Sequence, residues 1–314
     1  MDEKHTEFHR QKSIKLTFDA DPKLIEFLDA WSRMVPTLYL LDICLVSMTK
    51  LSSESIDQDE RKKRWVSELK KLDCEQNTFS YMCALMEKVS DSRGKMSDAE
   101  LEKQILADIA SLRQFFKKAS ICESDDFLIS YLHELRGQPV ELNRSKYLRF
   151  LKSANEKFNL KDAVSPSKRL NKAKELLNEA VSIGICKQHP VVTITLACVY
   201  GNIYAKKLMK FKSNVDLFDA ENVLSDIFLI SRSAQFKLEI EHYGNTGRGK
   251  FPRAIFLSDD TALNKVRNCF KPNMVKNIDN EDGRNITLKL DVDLKELMTE
   301  IKEDELVLLT ELLE

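Results

Sequence analysis

The chain is poor in residues that interrupt secondary structure, with 8 Gly and 7 Pro among 314 residues. That scarcity excludes collagen-like repeats and Gly- or Pro-rich linkers. An even spread of apolar residues, 43% of the total, argues against long disordered tracts. No run approaches the roughly 18 uncharged apolar residues of a spanning helix. The charged opening MDEKHTEFHRQKS is followed by no apolar stretch of a secretion signal. The expectation is a cytoplasmic chain without membrane contact. Seven Cys include no C-x-x-C pair, and beyond Cys186 and His189 none lies near one of the five His, so a four-ligand structural zinc site is not spelled out. Most of these thiols then serve as small core side chains. No G-x-S-x-G elbow supplies a serine nucleophile, and no His has an Arg five positions upstream as in the helical R-x4-H ribonucleases. Neither sign of charge dominates, with 49 Lys plus Arg against 50 Asp plus Glu.

What the sequence does contain is mostly helix. TLYLLDICLVSM (37–48) is a dense apolar run that reads as a central buried strand broken by Asp42. NTFSYMCALMEKV (77–89) reads as a helix capped by Asn77 or Thr78, with a break at Asp91–Met96. Helical segments follow from Ser97 to about Ile185, with Gly137 and Gly184 at expected helix ends. VVTITLACVY after Pro190 mixes β-branched residues with helical spacing, and helix is the reading favoured. A long helix is expected over about 215–241. RAIFLSDD and NITLKLDV (285–292) complete a set of three strands. Few strands among many helices point to an α/β layer structure.

Four acids need an explanation. Asp42 sits inside LYLLDICLV, where an ionised carboxylate costs several kcal/mol, on the order of other buried charges, unless a cation pairs with it. Glu87 ends the apolar helix FSYMCALME; taken alone it reads as a surface charge. Asp219, Asn222 and Asp226 fall on one side of the long helix beside an apolar stripe, an arrangement also common on ordinary amphipathic helices. Asp259 and Asp260 end the strand AIFLS, and helix capping is the plain alternative there.

The ordered set LYLLDICLV with Asp42, SYMCALME with Glu87, NVLSDIFLISRSAQF with Asp226 and FLSDDTAL with Asp260 resembles the PIN-domain family of metal-dependent ribonucleases. The resemblance covers roughly residues 36–90 and 190–270. It implies a PIN-like three-layer α/β/α core with a short, mainly parallel central sheet and a large all-helical insertion. Residues 1–96 would form the first part of the core, 97–185 the insertion, and 186–314 the rest of the core with acidic C-terminal helices. It further implies an endoribonuclease in which Asp42, Glu87, Asp226 and Asp260, with Asp259, hold Mg²⁺ or Mn²⁺, and Asn222 and Asp219 support them. The ion would activate a water that hydrolyses RNA, leaving a 5′-phosphate and a 3′-hydroxyl. Cys44 departs from the family by standing where a polar residue is usual. That departure favours the alternative of an inactive PIN-like protein-interaction module acting through the insertion. A further rival is a phospho-acceptor domain using Asp42 and Lys289.

Between Arg136 and Lys174, eleven Lys or Arg face three acids. Arg144, Lys146, Arg149, Lys152, Lys168, Arg169 and Lys172 are the candidate RNA contacts, with Tyr147, Phe150 and Phe158 interleaved. An ordinary solvated helix face with core aromatics is the even alternative. The expected partner is single-stranded or structured RNA. A neutralising or regulatory protein and a homodimer are compatible with the family. GNTGRGKF (244–251) has P-loop spacing, but Phe251 replaces the Ser/Thr and no helix follows, so it reads as a basic loop.

Overall fold

The computed structural model describes residues 21–91, 96–137, 143–280 and 283–314. The chain divides into two units after Val35. In the first, helix α1 (Pro22–Met34) starts at an Asp21 cap, with Pro22 at its first turn, and exposes Phe27 and Trp31. The second unit, from Pro36, opens with strand β1 (Thr37–Leu41), which is buried at every position. Short helices α2 (Ile43–Met48) and α3 (Ser53–Asp57) and helix α4 (Glu60–Lys71) lead to β2 (Asn77–Ser80) and α5 (Met82–Asp91). Helix α6 (Asp98–Phe115), started by a Ser97–Glu100 capping box, is followed by β3 (Ser120–Ile121) and α7 (Asp125–Gly137). Next come α8 (Arg144–Phe158), α9 (Pro166–Ile183), α10 (Pro190–Val199), α11 (Ile203–Met209) and the long α12 (Ala220–Asn245). Strand β4 (Arg253–Leu257), α13 (Thr261–Arg267), the hairpin β5 (Phe270–Asn280) and β6 (Gly283–Val292), then α14 (Leu294–Leu297) and α15 (Glu303–Leu313) close the chain.

Strands β1 to β4 form one parallel sheet in the order β3-β2-β1-β4. Parallel strands covered on both faces need apolar residues at successive positions, which explains the continuous TLYLL run. Its side chains divide between two cores. Leu38 and Leu40 pack with α8 to α12, whereas Tyr39 and Leu41 pack with α2, α4, α5 and α6. The result is three layers, helix on sheet on helix. On the second face, Phe79 stacks between Tyr39 and Phe116, with ring centroids 5.3 and 3.8 Å away. Helix α10 is buried from Val191 to Val199, as expected of a helix that is apolar all round. Gly184 ends α9 in the left-handed conformation, at φ +80°. No helix among the described residues is long and apolar enough to cross a membrane.

Two sequence expectations change, and the third strand takes a place of its own. Asn77 and Thr78 do not cap a helix; they lie in β2, paired with Thr37 and Leu38 of β1. Burial between two layers outweighs the capping preference of Asn and Thr. NITLKLDV is a strand, as read; it belongs to β6, antiparallel to β5 in a two-stranded sheet of its own. Pairing with the adjacent strand closes a shorter loop than reaching the central sheet. Segment 97–185 is not all helix, since it supplies the edge strand β3. The break read at Asp91–Met96 lies outside the described residues at 92–95, as do the first 20 residues of the N-terminal part.

Candidate metal centre

The order β3-β2-β1-β4 reverses direction at β1: β2 and β3 lie on one side of it, β4 on the other. Ligands of such sheets bind in the crevice beyond the C-terminal ends of the strands where that reversal occurs. Here those ends are Asp42, directly after β1, and Ser258, Asp259 and Asp260, directly after β4. The Asp42 N–H donates to Leu257 O at 3.1 Å, so the two exits are tied together. Asp42 caps α2 by accepting from Leu45 N–H at 2.9 Å, and Asp260 caps α13 by accepting from Ala262 and Leu263 N–H at 2.7 and 3.0 Å.

Ligand-type atoms of Asp42, Cys44 and Asp259 all lie within 4.8 Å of one another. Asp42 is buried, and burial pushes its carboxyl up to about 6; the Ser258 hydroxyl and Leu45 N–H oppose the rise, and the charges of Asp259 and Asp260 add to it. Asp259 is likewise raised, by burial first, against the lowering effect of Arg61. Desolvation and then the field of Asp42, Asp259, Glu87 and Asp226 push the Cys44 thiol up to about 12. The thiolate rather than the thiol is the ligand form, so at neutral pH this set offers oxygen donors. Oxygen donors gathered where each anion opposes the next are a set that could hold a metal ion.

The remaining predicted acids surround that pair in different ways. Glu87, on α5, accepts from Ile43 N–H at 3.3 Å, which sets it one residue beyond Asp42. Asp226, on α12, is paired with Lys210 at 2.6 Å, and its charge reaches Cys44. The carboxylates of Asp42 and Asp259 thus form the inner pair, with Glu87, Asp226 and Asp260 in the same field. Asp219 caps α12, accepting from Asn222 N–H at 3.1 Å. That bond gives Asp219 and Asn222 a part in starting α12.

Reasoning from sequence missed Arg61 and Lys210. Arg61, on α4, donates to the Asp259 carboxylate at 2.7 Å and to the Asp259 carbonyl at 3.0 Å. The signal was the basic run RKKRWVSELKK, but nothing local reveals which of its cations reaches a partner 198 residues away. Ser258, buried beside Asp42, was visible only as part of the Ser-Asp-Asp exit.

The proposed RNA-contacting block separates into distinct roles. Arg169 is buried and donates to Val164 O and Glu300 O, each at 3.1 Å, and to the Glu300 carboxylate. It fastens the C-terminal segment to α9 and is unavailable to a phosphate. Lys172 donates to Phe158 O at 2.6 Å, and Arg144 pairs with Glu221. Phe150 and Phe158 belong to the core, and Tyr147 stacks on His189 at 4.2 Å. Arg149 and Lys152 line a shallow cleft that also holds Glu156 and Glu179; Lys168 is exposed and Lys146 lies beside Gly184. The interleaved aromatics are therefore core packing. Lys289, the lysine of the phospho-acceptor reading, lies in β6 and pairs with Asp291 at 3.2 Å. No protein-family model, curated protein or solved structure matches the chain.

Proposed function

We propose that the unit from Pro36 is a divalent-metal-dependent nuclease that hydrolyses RNA phosphodiester bonds at the C-terminal edge of its parallel sheet. The observation that carries this reading is the approach of Asp42 and Asp259 from two adjacent strand ends, with Glu87 bonded to the backbone next to Asp42. Asp42 and Asp259 would hold Mg²⁺ or Mn²⁺. A cation bound there supplies activation of a water nucleophile and neutralisation of the charge that builds on the phosphate. Helix α2, started by Asp42, fixes that carboxylate, and the Ile43 N–H orients Glu87 toward the same edge. Arg61 neutralises Asp259 in the metal-free protein and is free to turn to a phosphate oxygen once Asp259 binds a cation. The resemblance of these strand-end acids to the PIN-domain arrangement supports the same chemistry. An inactive interaction module is the second reading, favoured by the protonated Cys44 thiol, which leaves few ligands in the inner set.

The test is cleavage of a labelled RNA during titration with Mg²⁺ and with Mn²⁺. Asp42→Asn and Asp259→Asn should each lower the rate by more than about 100-fold, the upper end of outer-shell effects. Metal-dependent cleavage at the wild-type rate in both variants would refute the assignment. Wild-type protein that binds the ion without cutting would establish the interaction-module reading.

A further inference from the structure

A concavity of about 520 Å³ lies over β1 and the ends of β2 and β3, on the side of the sheet that α12 covers. Its floor is Leu38 and Leu40 of β1, and its walls include Phe127 of α7, Phe236 of α12 and Phe251. Phe127 is 48% exposed and stacks on Tyr131, with ring planes 9° apart. A Cβ on Gly244 would collide with the Phe251 carbonyl, so glycine there lets the end of α12 and the Phe251 wall approach closely. Lys250 stands 5.3 Å from the Phe251 ring centroid and adds a cation near the rim.

One charged group lines this mainly apolar space, with Ser80 and Ser124 beside it. Glu123 follows β3, is 8% exposed, and accepts from the Ser80 hydroxyl and from Tyr81 N–H, the latter at 3.0 Å. A carboxylate has about four lone-pair positions, so these two donors leave room for two more. Burial raises the Glu123 carboxyl, while both donors favour its ionised form. An acceptor pair fixed by backbone and hydroxyl, set among aromatic walls, matches a planar heterocycle that presents two adjacent N–H donors. Among the RNA bases, guanine alone has that pattern on its pairing edge, at N1 and N2. Adenine and cytosine set an acceptor beside their donor, and uracil sets its one N–H between two carbonyls.

We propose that this cleft binds an unstacked guanine of single-stranded RNA, with Glu123 reading its N1–H and N2–H and the phenylalanines covering its faces. As a substrate site it rests on the nuclease reading above; as a guanine site it does not. Strand ends in a sheet are spaced by about 4.8 Å. The exit of β3, two strands from that of β1, therefore lies roughly 10 Å from Asp42, a distance one nucleotide spans from base to phosphate. Guanine held at Glu123 would direct a neighbouring phosphate toward the acids, so cleavage would fall next to guanosine.

The test is calorimetric titration of the full chain, in chelator, with short single-stranded oligoribonucleotides that carry one guanosine, adenosine, cytidine or uridine in a constant context. Guanosine 5′-monophosphate alone forms a separate arm. The guanosine oligonucleotide should bind roughly tenfold or more tightly than the others, as for a bidentate base contact. Glu123→Gln should erase that preference. Phe127→Ala, at an exposed position, should weaken binding of every oligonucleotide roughly tenfold through lost stacking, and it serves if Glu123→Gln fails to fold. Binding of all four oligonucleotides within about twofold would overturn the proposal, as would guanine preference unchanged in Glu123→Gln or affinity unchanged in Phe127→Ala. Binding of the free monophosphate but not the oligonucleotide would assign the cleft to a free nucleotide and overturn the RNA role. Asp42→Asn separates the two readings: it should bind the guanosine oligonucleotide like wild type while failing to cleave.

Discussion

Replacing Asp42 with Asn gives the most direct measure of the strain that a bound cation would relieve. The Asp42 carboxyl rises from 3.8 to about 6 on folding, mainly through burial. At about 1.4 kcal/mol per tenfold change in proton affinity, that corresponds to about 3 kcal/mol. The folded state holds the proton more tightly than the unfolded state. Stability from this group is therefore fully present below about pH 4 and is lost as pH rises through about 6. Asn keeps an oxygen that can accept from Leu45 N–H and is itself a good helix cap, yet it carries no charge. In chelator at pH 8, Asp42→Asn should be more stable than wild type by up to about 3 kcal/mol, roughly 5 °C in Tm for a chain of this size. At pH 4 the two should coincide. Urea melts at half-unit pH steps, repeated with saturating Mn²⁺, measure both effects. Mn²⁺ should stabilise wild type and leave the variant unchanged. A variant less stable than wild type by a constant amount at every pH would refute the electrostatic account.

Other expectations follow from single contacts. Arg61 is largely exposed, so its pair with Asp259 contributes little, at most about 1 kcal/mol. Arg61→Ala should tighten Mn²⁺ binding up to about fivefold by calorimetry, since the cation no longer competes with a guanidinium. Asp108 is fully buried and accepts from the Tyr81 hydroxyl at 2.6 Å while pairing with Lys88 at 3.1 Å and with Lys50. Asp108→Ala should cost about 3 kcal/mol in chemical denaturation, and the Tyr81→Phe variant about 1 kcal/mol. Phe79→Ala empties the middle of the Tyr39–Phe116 stack and should cost about 3 to 5 kcal/mol. A loss below about 1 kcal/mol would show that the ring is not part of a packed core.

Periodicity and composition carried the helices, because amphipathic spacing is local and is read from neighbours a turn apart. The Gly184 end of α9 was visible for the same reason. So was the burial of β1, since a strand covered on both faces must be apolar at consecutive positions. Asp42 could be singled out because a carboxylate in such a run has to be explained, and Asp259 because it leaves a second buried strand. Short strands escaped. NTFS resembles a helix start until its pairing with β1 is known, and Ser120–Ile121 is too brief to show any period.

Distance along the chain decided the rest. Which of the many lysines and arginines face inward depends on contacts over a hundred residues or more, as between Arg169 and Glu300. Composition therefore identified a basic block, while burial removed Arg169 from its surface and a bond to Phe158 O engages Lys172. Glu123 was not noticed in the sequence, where it is one acid among fifty; it stands out only because β3 ends beside Ser80 and the helices leave its carboxylate facing an aromatic cleft. Local patterns determined which segments bury themselves. The parallel sheet, by bringing strand ends together in an order unlike that of the chain, decided which charged groups meet.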